Sequence, residues 1–129
     1  MKKLILLLLL LLFVSICSAQ TAVYNKITSE ADFISYQTKS NNIVKTGDTL
    51  QIGYPRAGNQ FTFISQANIA AGTVIANSKV VISKIKTVGN NKRGYKTYLL
   101  FKGYGLYPVY IDYESALETG EVKAPFNKG

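Results

Sequence analysis

The residues in this chain best suited to chemistry are lysines and tyrosines spaced two apart. Lys84 and Lys86 fall on one side of a β-branched stretch, and Lys96, Tyr98 and Lys102 on one side of the stretch after it. Side chains alternate across a strand, so each set shares a face. Such a face offers positive charge beside a flat aromatic ring. That suits an anionic envelope polymer, a lipid headgroup or an acidic protein surface. Lys92 and Arg93 would add a basic loop, and Tyr104, between Gly103 and Gly105, a ring expected at the surface. The candidate binding residues are therefore Lys84, Lys86, Lys92, Arg93, Lys96, Tyr98, Lys102 and Tyr104.

The charge distribution points the same way. No acidic residue occurs between Asp48 and Asp112, while Arg56, Lys79 and the six basic candidates do. Solubility needs only mixed signs, so a long acid-free block suggests attraction to an anion. Catalysis fares worse. The chain has no histidine and a single cysteine, Cys17. The commonest general base and the usual transition-metal ligands are thus missing. No Gly-rich phosphate loop occurs. Asp112, Glu114 and Glu118 are close together, but Glu114 and Glu118 would share the solvated face of a short helix. The expectation is a non-catalytic module without metal or cofactor.

These residues need strands to carry them. Alternation predicts a hairpin from Leu50-Ile52-Tyr54 through a Pro55–Asn59 turn to Phe61–Phe63, and strands over Lys79–Val88 and Tyr95–Lys102. A register with Lys86 facing Lys96 and Lys84 facing Tyr98 puts Val81, Ile85, Leu99 and Phe101 on a core face, with Ile82 and Leu100 on the lysine face. Tyr107–Ile111 reads as another strand. Ser29-Glu30-Ala31-Asp32 reads as a capped helix start, running to about Lys39, and Asp112 opens a second helix through Glu118. The fold class is mainly β with minor α: a small barrel or rolled antiparallel sheet, SH3-like or OB-like, with a short helix near each end.

Residues 1–19 read as a cleaved secretory signal: Met1-Lys2-Lys3, an apolar run from Leu4 to Val14, then small residues to Ala19. Residues 20–129 would be one small basic β domain, its formal charge lowered from +8 to +6 by loss of Lys2 and Lys3. The apolar run is too short to span a bilayer. Lipid anchoring at Cys17 is the lesser alternative, since Ile16 is large for a lipoprotein site. With no further cysteine and no Asn-x-Ser/Thr sequon, a bacterial periplasmic or surface location is expected, which counts against nucleic acid as partner. The runner-up function is a structural or accessory subunit of an envelope complex that pairs through a sheet edge.

Ile43-Val44-Lys45-Thr46-Gly47-Asp48-Thr49-Leu50 resembles the opening of a LysM glycan-binding repeat. That repeat requires a helix next. Here Gly53-Tyr54-Pro55 and Phe61-Thr62-Phe63 read as β structure, so a Thr-Gly-Asp turn entering a strand accounts for the same letters.

Overall fold

The computed structural model describes residues 21–123; the expected export signal, Cys17 and the tail after Lys123 lie outside them. The chain is mainly β. Its strands are β1 (Thr21–Val23), β2 (Ala31–Phe33), β3 (Ser35–Gln37), β4 (Ile43–Lys45), β5 (Thr49–Gln51), β6 (Gln60–Gln66), β7 (Ile69–Gly72), β8 (Lys79–Val81), β9 (Lys84–Asn90), β10 (Gly94–Phe101) and β11 (Val109–Asp112), followed by helix α1 (Tyr113–Thr119). A six-stranded antiparallel sheet runs β2-β9-β10-β11-β6-β7. Smaller sheets, β1-β3-β4 and β5-β8, accompany it, and β1 pairs with β3 in parallel. β2 and β7 each end the large sheet, so no closed barrel forms among the described residues.

The large sheet buries one face. Ile85, Leu99, Ile111 and Ile64 lie across it on β9, β10, β11 and β6, all essentially excluded from water. Tyr36, Val44, Leu50 and Val80 from the smaller sheets, and Tyr113 and Ala116 from α1, complete the core. Burying so many branched and aromatic side chains is the main force holding the fold.

The expected helix over 29–39 does not form. Its residues make β2 and β3, which join different sheets. Phe33, Ile34 and Tyr36 are poor helix formers, and the polar groups find partners across the sheet instead. Glu30 accepts a hydrogen bond from the Gly89 amide at 2.9 Å, and the Ser29 carbonyl accepts one from the Thr87 hydroxyl at 2.8 Å. α1, by contrast, forms where predicted, although the Asp112 side chain does not cap it.

Two pairings also differ from expectation. β5 joins β8 rather than β6. The C-terminal segment comes between them: Val122 bridges to Ile52, while the Glu121 side chain takes the amides of Arg56, Thr62 and Phe63. The β9–β10 register is displaced by two residues, so that Lys86 faces Tyr98 and Lys96 faces Val88. The Asn90 side chain accepts from the amides of Lys92 and Arg93 at 3.0 and 2.8 Å, which sets the turn at residues 91–93. A shift of two leaves the paired side chains of β9 and β10 on their predicted faces, and it separates the like-charged Lys86 and Lys96.

The predicted strand over Lys79–Val88 is broken at Ser83, where the chain passes from β8 to β9. The alternation inverts there. Ile82 is buried in the core and Val81 is 56% exposed, the reverse of the expected placement. The Thr46-Gly47-Asp48 turn leads from β4 into β5 with no helix after it, and Asp48 closes it by accepting from the Lys45 amide at 2.8 Å.

Candidate functional site

The outer face of the large sheet carries Lys84, Lys86 and Lys96 of the predicted lysines, and one predicted ring, Tyr98. Reading across it, Asp32, Lys86, Tyr98 and Asp112 form one row, from β2 to β11. The next row begins Lys84, Leu100, Tyr110 and Ser65. Tyr98 and Tyr110 meet edge to face with ring centroids 6.0 Å apart. Together with Tyr107, Pro108 and Val88 they line an open groove of about 500 Å³. A groove walled by rings and apolar side chains, edged by a few polar groups, is the usual form of a binding site.

Its charge is more balanced than the sequence suggests. Lys96 donates to Asp112 at 2.9 Å, and Lys84 lies 3.6 Å from Asp32. Both partners of the second pair are half exposed, so it contributes little and exchanges readily for another anion. Lys86 makes no ion pair with any described residue and stands directly across from Tyr98. Partial burial and the nearby Asp112 raise the Tyr98 pKa, against the opposing pull of Lys96, so its hydroxyl stays a neutral donor. The hydrogen bond to Asp112 holds the Lys96 ammonium above its ordinary value.

The structure does not gather every predicted residue. Lys92 and Arg93 are exposed at the β9–β10 turn, beyond one end of the lysine rows, and Lys102 is exposed beyond the other. Tyr104 is not the open ring expected. It is half-buried, edge-on against Phe101 at 5.7 Å, and packs on the core. Tyr107 takes the exposed position, at 61%. Tyr107 and Tyr110 were missed as groove residues because nothing in their spacing distinguishes them from the core tyrosines around them.

A second, polar pocket of about 250 Å³ opens at the end of β10 beside α1, lined by Tyr36, Lys96, Thr97, Asp112 and Glu114. Glu114 accepts from the Tyr36 hydroxyl at 2.5 Å and the Lys39 amide at 3.0 Å. Burial, reinforced by Glu114, drives the Tyr36 pKa far above its ordinary value. Burial pushes that of Tyr113 up to about 12, with Glu114 adding to it. The Thr97 hydroxyl is buried close enough to Tyr36 to influence its ionisation, yet outside hydrogen-bonding geometry. No group of three or more acidic, cysteine or histidine residues among the described residues is placed to hold a metal ion. Nor is any described helix long and apolar enough to cross a membrane.

No protein-family model matches the chain, and no curated protein or solved structure matches it.

Proposed function

We propose that this protein is an exported, non-catalytic binding module that holds an anionic partner at the cell envelope on the outer face of its large sheet. The observation that carries the reading is the groove between Tyr98, Tyr107 and Tyr110, with Lys86 directly across from Tyr98. The rings supply contact area at low entropic cost. Lys86 and the weakly paired Lys84 supply the charge, while Lys92, Arg93, Lys96 and Lys102 extend the positive field beyond the groove. The finer architectural reading, an SH3-like or OB-like roll, belongs to the same proposal, since OB-folds bind oligomers along an exposed strand face.

The test is binding to purified cell envelope across a salt series, with a Lys84→Gln, Lys86→Gln, Lys96→Gln variant and a Tyr98→Ala variant alongside. Charge-driven binding falls steeply with ionic strength. Removing the three lysines or the ring is expected to weaken it about tenfold. Binding indifferent to salt and to both variants sinks the proposal. The alternative, an accessory subunit joined through a sheet edge, draws support from β7, an edge strand without charge or proline. Salt-insensitive association lost on placing lysine at Ala70 would favour it.

A further inference from the structure

One end of the large sheet presents apolar side chains that neither the core nor the lysine rows use. Leu106 is 95% exposed and Ile69 68%, and with Tyr107 they border one shallow depression of about 440 Å³ beside β7. A single exposed leucine on an unsupported loop would mean little. This loop is built. The Gln66 side-chain amide donates to the carbonyls of both Tyr104 and Tyr107 at 2.7 Å, and the Tyr104 ring is seated on Phe101. Gly103 and Gly105 take φ of +111° and +107°, a path that other residues resist. The fold thus holds Leu106 and Tyr107 out in water by specific hydrogen bonds.

The surrounding charge indicates the occupant. Both segments of the tip, the β6–β7 turn and the loop after β10, fall within the acid-free span between Asp48 and Asp112. Residues 57–78 carry no charge at all, and the charge nearest Leu106 in the chain is the exposed Lys102. An apolar tip with an aromatic residue and a neighbouring cation matches a bilayer interface with anionic lipids. A second copy would bring the same excess of positive charge to the contact. We propose that Leu106, Tyr107 and Ile69 insert into the headgroup region of an anionic bilayer while Lys102 meets lipid phosphates. This contact shares Tyr107 and Lys102 with the outer-face reading but does not use Lys84, Lys86, Lys96 or Tyr98, and Leu106 and Ile69 belong to the tip alone.

Cosedimentation tests it, using protein recovered after expression of the full chain. Phosphatidylethanolamine–phosphatidylglycerol vesicles are compared with phosphatidylcholine vesicles. The protein is expected to bind the anionic vesicles preferentially. Leu106→Asn and Ile69→Asn should each lower partitioning about tenfold, the scale of losing one buried aliphatic side chain. Both residues are exposed, so the thermal midpoint should stay unchanged. The Leu106→Asn variant should also keep its salt-sensitive binding to delipidated envelope polymer, so either reading can fail alone. The tip proposal is overturned if Leu106→Asn binds vesicles like the unaltered chain, or if anionic vesicles are not bound. A vesicle-free dimer dispersed by Leu106→Asn would also overturn it, making the tip a self-interface.

Discussion

The two ends of helix α1 treat carboxylates in opposite ways. After its C-terminal end, Glu121 is wholly buried, and its two oxygens accept from the amides of Arg56, Thr62 and Phe63 at 2.8 to 3.1 Å. At its N-terminal end, Asp112 and Glu114 each engage one oxygen, with Lys96 at 2.9 Å and with Tyr36 and the Lys39 amide at 2.5 and 3.0 Å. They line an open pocket next to the unpartnered Thr97 hydroxyl. A saturated buried carboxylate is a structural fastening, since every bond it can make is spent inside the fold. A carboxylate with spare capacity facing a pocket can be altered at much lower cost.

That contrast breaks most plainly at Glu121. Glu121→Ala strands three backbone donors and is expected to cost about 3–5 kcal/mol in denaturant unfolding. Glu121→Gln should be nearly as harmful, because its amide nitrogen turns a donor toward donors. A loss below about 1 kcal/mol would show that Glu121 is not a fastening. Alkali probes the other end. Tyr113 ionises near pH 12 when folded and near its ordinary 10.0 when unfolded. The unfolded chain therefore loses that proton first. Stability, intact below pH 10, should decline by about 3 kcal/mol as pH approaches 12. Tyr113→Phe should remove that share of the decline and leave the share due to Tyr36, whose pKa burial raises further, with tyrosinate absorbance as the readout.

Smaller effects sharpen the comparison. A Cβ on Gly53 would come 2.3 Å from the Gly120 carbonyl oxygen, so Gly53→Ala must push the C-terminal segment away, at about 2 kcal/mol. Glu114→Gln keeps an acceptor for Tyr36 and should cost only about 1 kcal/mol. Thr97→Val replaces an unsatisfied buried hydroxyl with a methyl group. It should be neutral or stabilise by a few tenths of a kcal/mol. A clear loss on calorimetry would mean that the hydroxyl has a partner in solution.

Legibility followed the range of the interactions. The alternation of Lys84 and Lys86, and of Lys96 and Tyr98, placed these residues on the solvent side, and a register displaced by two could not undo it. The helix expected at Ser29 was not legible, because the S-x-x-D pattern is local while Glu30 and the Ser29 carbonyl are held by the Gly89 amide and the Thr87 hydroxyl, far along the chain. The hairpin from β5 to β6 was misread for the same reason. Its separation depends on Glu121, 59 residues beyond Thr62. Tyr104 and Tyr107 show the limit for the site, since flanking glycines said nothing of Phe101 beneath one ring and Gln66 beneath the loop.

The sequence alone determined the mainly β class, the side of β9 and β10 that meets the core, and the acid-free block of positive charge. These follow from period-two patterning and composition, which need no knowledge of neighbours. Tertiary structure decided the strand order and the pairing of Lys84 with Asp32 and Lys96 with Asp112. It also assembled the groove from β9, β10, β11 and two loops, and chose which tyrosine meets water. Each of those outcomes depends on residues far apart in the chain meeting at one register, and that pairing is settled only when the whole core packs.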